Sequence, residues 1–216
     1  MKDSFRYALI SLIAFSITYS LTLFIQNELI TNAVIISFLL QWFLFFPAYF
    51  YQTEKFYDIS GSINYILIVS YIYINNYITY GFNIGNLVLS FLIFVWAIRL
   101  GMFLFLRIQK DGEDKRFGSI KPSATKFFMT WTIQATWVSI CSLCALTGIS
   151  SNSGVVINNL FFLGLTFFIV GFFIEVVADI QKTKFRKNPK NKNNFITTGL
   201  WAYSRHPNYL GEISIW

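Results

Sequence analysis

The stretch that decides the fold runs from Phe127 to Ile174, FFMTWTIQATWVSICSLCALTGISSNSGVVINNLFFLGLTFFIVGFFI, 48 residues without one charged side chain. About 20 apolar residues carry a helix across the hydrocarbon core of a bilayer. This tract is more than twice that length, and it is interrupted near its middle by the polar, glycine-bearing run from Gly148 through Gly154. It reads as two transmembrane helices joined by a tight connection. Upstream, Ile59 to Ile98 repeats the pattern: 40 uncharged residues with a break from Asn75-Asn76 through Gly85-Asn86. Tyr7–Ile25 and Leu29–Tyr51 precede it. The expectation is an all-α, polytopic transmembrane bundle with six spans, roughly 7–25, 29–51, 59–77, 85–107, 126–149 and 155–178. A seventh helix starts at Pro207. The runs are apolar on every face, whereas the strands of a membrane β-barrel alternate in polarity. The barrel is therefore set aside.

Composition agrees. Hydrophobic residues make up 55% of the chain, aromatics 20% and charged residues 12%, against roughly 25% charged in an ordinary soluble domain. The first span has no small-residue cleavage site and is too long for a signal-peptide core. Cys141 and Cys144 sit three apart within the fifth span with no second pair and no histidine beside them, so they read as small apolar fillers.

The 17 Lys and Arg residues gather in the N-terminus, the 52–58 and 108–125 loops, the tail from Lys182, and the span ends next to them. The opposite turns, near 26–28, 78–84 and 149–154, carry none. Cationic loops stay on the cytoplasmic side, so the expectation is an integral, multi-pass membrane protein (in the inner or plasma membrane if bacterial) with both the N-terminus and the tail cytosolic. The net charge of +7 follows from that topology and from attraction to anionic headgroups. Nucleic-acid binding is excluded as a reading, because no separate soluble domain exists to perform it.

Charges within the spans are costly and usually face a cavity or a partner. Arg99 lies inside the fourth span, eight residues before Arg107. Glu175, Asp179, Lys182 and Arg186 are spaced four, three and four, which keeps them on one helix face. An ion pair of Arg99 with Glu175 and a ligand-lined cavity are both open readings. The basic segment 182–204 then leads into Ser204-Arg205-His206-Pro207-Asn208-Tyr209. Pro207 suits the first position of a helix, with Ser204 or His206 near its cap. A helix N-terminus beside Arg205 is an anion site.

The run Gly199-Leu200-Trp201-Ala202-Tyr203-Ser204-Arg205-His206-Pro207-Asn208-Tyr209-Leu210-Gly211-Glu212 resembles the signature of the steroid 5-alpha-reductase-like membrane proteins, in the bacterial branch called domain of unknown function 1295. More distantly it is similar to sterol C14 and delta-7 reductases and to isoprenylcysteine carboxyl methyltransferases. Glu175 to Lys182, Trp96 to Gly101, Glu113 to Phe117 and Lys55 to Gly61 extend the resemblance, which covers the chain from about residue 47.

The resemblance implies a membrane reductase. NADPH would sit in a cavity open to the cytosol, and a hydride would go to a conjugated C=C bond of a lipid, isoprenoid or sterol-like substrate. It places cofactor contacts at Asp179, Arg186, Arg205, Asn208, Tyr209 and Glu212, with Arg99 and Arg107 near others. Glu175, Lys182 and His206 join them as candidates from the reading of the helix face and cap, His206 with a capping role as its alternative, and no metal is expected. Where steroid-reducing members carry a Tyr and a Glu against the substrate carbonyl, this chain has Trp96 and Thr53, with Glu54 adjacent. Glu54 and Trp96 are thus the catalytic candidates, although an indole cannot transfer a proton at ordinary pH. The rival readings are an S-adenosylmethionine-dependent lipid or prenyl-cysteine methyltransferase and a non-catalytic lipid-binding protein. The whole chain reads as one membrane domain, expected to continue beyond Trp216 because the last helix is only half a span long.

Overall fold

A computed structural model describes residues 2–191 and 194–216. They form seven α-helices: α1 (Lys2–Ile25), α2 (Glu28–Phe50), α3 (Tyr57–Tyr80), α4 (Ile84–Asp111), α5 (Ala124–Ser150), α6 (Asn159–Lys187) and the short α7 (Pro207–Ile215). Short 3-10 turns at Lys115–Ser119, Pro189–Asn191 and Gly199–Ala202 complete the fold. Each expected span lies on a helix, but the expected break from Asn75 to Asn86 narrows to residues 81–83, because α3 continues to Tyr80 with Asn76 bonded to the Ser151 carbonyl. The helices divide into two compact units, Met1–Val155 and Val156–Trp216.

The helix starts follow local chemistry. Asn27, Asn83, Ser123 and Asn158 each turn a side-chain oxygen onto a free N–H in the first turn of α2, α4, α5 and α6. Such caps satisfy donors that the helix itself leaves orphaned.

Five helices among the described residues are long and apolar enough to cross a membrane: α1, α2, α4, α5 and α6. The remaining expected span, α3, is 24 residues long, about 36 Å at the helical rise, but it is richer in Tyr, Asn and Ser. The reason lies in its surroundings. Ser60, Ser62, Asn64 and Asn76 are buried, and α3 packs on α2, α4 and α5. A helix enclosed by other helices presents little surface to lipid, and polar side chains there join neighbours rather than meet hydrocarbon.

Those bonds fix the register of the first unit. Asn64 Nδ2 donates to Ser37 Oγ at 2.9 Å and Gln41 Nε2 to the Ser60 carbonyl at 3.3 Å, which sets α2 antiparallel to α3. Trp42 Nε1 donates to Thr132 Oγ1 at 3.0 Å and Asn27 Nδ2 to Ser150 Oγ at 3.0 Å, so α5 is antiparallel to α2. Gln134 Nε2 reaches the Tyr57 carbonyl (2.9 Å) and Asn76 Nδ2 the Ser151 carbonyl (3.0 Å), which makes α3 and α5 parallel.

The unit thus has two ends. At the turn end, Asn86 donates to Asn76 Oδ1 at 2.8 Å and accepts the Val155 N–H at 2.7 Å. At the other end lie the 51–56 and 112–123 loops, above a core of Phe45, Ala48, Phe117, Phe127 and Trp131. The cations of the 52–58 and 108–125 segments all belong to this second end.

Candidate functional site

The second unit is organised by one close helix crossing. Gly171 on α6 and Gly211 on α7 meet backbone to backbone. A Cβ on Gly211 would stand 2.6 Å from the Gly171 carbonyl oxygen and 2.7 Å from the Glu175 nitrogen. Only hydrogen side chains permit that approach. The crossing buries Glu175, and Asp179 one turn on is buried too, at 3% and 7% exposure.

Beyond the crossing, α6 ends in basic residues, with Lys184, Arg186 and Lys187 in its last turn. Cations there complement the partial negative charge of the helix C-terminus. Asn191 Nδ2 donates to the Phe185 carbonyl at 3.0 Å and satisfies one terminal acceptor. The chain then returns to α6. The Leu200 N–H donates to Gln181 Oε1 at 3.0 Å, and Trp201 Nε1 donates to the Ala178 carbonyl at 3.1 Å. Gly199 has φ +63°, the left-handed region that favours glycine, and a Cβ on it would push the Gln181 amide, at 2.5 Å, out of place.

Between the end of α6 and the returning loop lies a cleft of about 1020 Å³. Lys182, Arg186, Lys187 and Arg205 line it together with the rings of Trp201 and Phe195. No carboxylate lines it among the described residues. His206 borders it, precedes α7 and stacks on Tyr209 at 5.3 Å. The imidazole makes no cap; instead the His206 N–H donates to Ser204 Oγ at 3.2 Å, and Pro207 opens the helix. In the first turn of α7, Asn208 Oδ1 is buried and meets no hydrogen-bond donor. Glu212 follows one turn later.

The structure therefore brings Lys182, Arg186, Arg205 and His206 to one cleft, and sets Glu175 and Asp179 deeper on the same helix. Trp201, Phe185, Phe195 and Lys187 join the lining without having been singled out as contacts in the sequence. Trp201 stood inside the run from Gly199 to Glu212, four residues before Arg205.

The remaining candidates lie in the first unit. The guanidinium groups of Arg99 and Arg107 flank the Phe103 ring at 5.4 and 5.9 Å, so Arg99 leans toward the loop end of α4. Arg107 also approaches Asp58 at 4.0 Å. Trp96 is 2% exposed and packs edge-on against Tyr65, centroids 5.1 Å apart. Thr53 Oγ1 accepts the Lys55 N–H.

Glu54 is 5% exposed and joins the two loops, accepting Lys121 Nζ at 2.5 Å and the Asp114 N–H at 2.8 Å. Burial works against its charge, but the Lys121 ammonium and the Asp114 N–H outweigh it and hold the carboxyl below its ordinary value. Asp114 is likewise lowered, chiefly by its hydrogen bond from Arg116.

Residues 42–216 match the family described as "Protein of unknown function (DUF1295)". Among curated proteins, the chain is 38% identical over 77 residues to a probable O-methyltransferase of Ustilaginoidea virens, which is 34% of this chain and 27% of that protein. It is 35% identical over 57 residues to a delta(14)-sterol reductase of Gallus gallus, 20% of this chain and 9% of that protein. The chain thus spans only a small part of the relatives it matches. No solved structure matches it.

Proposed function

This chain belongs to the DUF1295 family, and from that premise, together with the cationic cleft, we propose that it is a membrane-embedded, NADPH-dependent reductase. Its substrate would be a conjugated C=C bond in a lipid, isoprenoid or sterol-like molecule. The observation that carries this reading is the cleft itself, about 1020 Å³ in volume: among the described residues its lining holds four cations, the rings of Phe185, Phe195 and Trp201, and no carboxylate. A dinucleotide with several negative charges needs a basic wall for its phosphates and flat apolar surfaces for its rings. The lining fits both demands. When bound, NADPH supplies the hydride.

The protein's own residues bind and orient. Arg186 and Arg205 present planar forks to phosphate oxygens, and Lys182 a point charge. In the first unit, Trp96 and Tyr65 pack edge-on in the buried core. The sterol reductase among the relatives supports a lipid substrate.

Arg205→Ala removes one charged contact, worth ~1.5–3 kcal/mol, and the affinity for NADPH is expected to fall ~10-fold or more. Titration of the detergent-solubilised protein, followed by tryptophan quenching, measures it. The O-methyltransferase relative supports a second reading, in which the ligand is S-adenosylmethionine. That cofactor is roughly monocationic, so a cleft of four cations suits it less well. Tight S-adenosylmethionine binding with none for NADPH decides for the methyltransferase.

The basic loops support an orientation with those loops in the cytosol. In a background lacking Cys141 and Cys144, cysteine at Asn152 is expected to react with an impermeant thiol reagent from outside intact cells. Cysteine at Lys190 is expected to react only after permeabilisation. The reverse pattern would overturn the assignment.

A further inference from the structure

Trp201 is held more firmly than the cleft it lines requires. Its indole N–H donates to the Ala178 carbonyl at 3.1 Å, a bond made one turn before Lys182 on the same helix. The adjoining Leu200 N–H is fixed to Gln181 at 3.0 Å. The ring is 9% exposed. Its face lies under the Lys182 ammonium, with Nζ 4.6 Å from the centroid. A lysine stem has four rotatable bonds, and ordering it on ligand binding costs conformational entropy. A ring that attracts the ammonium beforehand removes part of that cost.

We infer that Trp201 is the positioning residue of the cleft: pinned to α6, its indole holds the Lys182 ammonium at the wall as a preset contact for an anionic group of the ligand. This rests on the cofactor reading above. Trp201 acts through Lys182 and makes no claim on the reacting atoms. The arrangement also couples the loop to the helix, because Ala178, which holds the ring, and Gln181, which holds Leu200, stand on α6 within the turn before the lysine that the ring orients.

The test is a double-mutant cycle read as Kd for NADPH, with inorganic pyrophosphate as a second probe. Lys182→Met is expected to weaken NADPH binding about tenfold, the loss of one charged contact. Trp201→Leu, which keeps an apolar filler but no π-face, is expected to weaken it about fivefold, at the upper end of what a half-buried cation–π contact contributes. Trp201→Phe, which keeps a ring, is expected to recover part of that loss. The double variant Lys182→Met/Trp201→Leu is expected to bind no more weakly than Lys182→Met alone, because the ring has nothing left to position. If Trp201→Leu costs as much on the Lys182→Met background as on wild type, the ring is only structural and the inference fails, while the cofactor reading stands. If wild type binds neither NADPH nor pyrophosphate, the cofactor reading falls and the positioning role with it.

Discussion

Gly211→Val is expected to abolish NADPH binding and to lower the thermal unfolding temperature of the detergent-solubilised protein. The first atom of the new side chain would stand 2.6 Å from the Gly171 carbonyl oxygen and 2.9 Å from Glu175 Cβ. Two of its three nearest neighbours are backbone, which cannot swing aside as a lysine tip can. Overpacking of this kind costs about 1–3 kcal/mol where the surroundings yield, and a backbone crossing yields least. Relief comes only by moving α7 off α6. The start of α7 carries Asn208 and follows Arg205 and His206 directly, so cofactor contacts go with it. Gly164→Val is the control. It lies on the same helix with nothing within 4 Å of its Cβ position, and it is expected to leave both binding and unfolding unchanged. An equal loss in the two variants would mean that the crossing is not what holds the site.

The second large effect lies in the first unit. Lys121→Met leaves the Glu54 carboxylate buried with backbone N–H groups, those of Asp114 and of Glu54 itself, but no cation to meet its charge. Breaking a buried pair from one side costs about 3 kcal/mol or more, and here the side-chain exposures are 3% for Glu54 and 17% for Lys121.

The pH dependence follows from the sign of the shift. The folded-state pKa of Glu54 is depressed. In wild type its contribution is therefore fully present above the unfolded carboxylate value, about 4.3, and is lost as pH falls through the lower folded value. In Lys121→Met the burial is no longer offset, the carboxyl titrates higher, and protonation relieves the defect. The gap between variant and wild type is thus expected to be wide at neutral pH and to narrow below about pH 5. Unfolding temperatures across that range measure it. Glu54→Gln, whose amide oxygen still accepts the Asp114 N–H, is expected to be milder at neutral pH. A gap that stays constant with pH would show that Lys121 stabilises by packing rather than by charge.

The sequence by itself determined that the helices exist and their order, though not their exact ends: α6 runs on to Lys187 and α3 to Tyr80, past the expected edges. A membrane helix satisfies its own backbone hydrogen bonds within one segment, so the information that places it is local: an uncharged tract, a polar break, a capping Asn or Ser. The family was equally legible, because the run from Gly199 to Glu212 is contiguous, and the match to residues 42–216 bears it out. Three cations of the cleft and its histidine were legible for the same reason, as Lys182, Arg186, Arg205 and His206 stand close together in the chain.

What only the tertiary structure decided is which side chains meet across helices. Glu54, a catalytic candidate by sequence, joins two loops through Lys121, 67 residues away. Trp96 has Tyr65 for its neighbour, and the polar face of α3 turns out to be buried against α2, α4 and α5. Trp201 lies under Lys182 because the loop between them returns to α6. Those pairings depend on the rotation and register of one helix against another. Rotation and register are set by packing over the whole contact and by close approaches such as that of Gly171 to Gly211, and no single segment contains them.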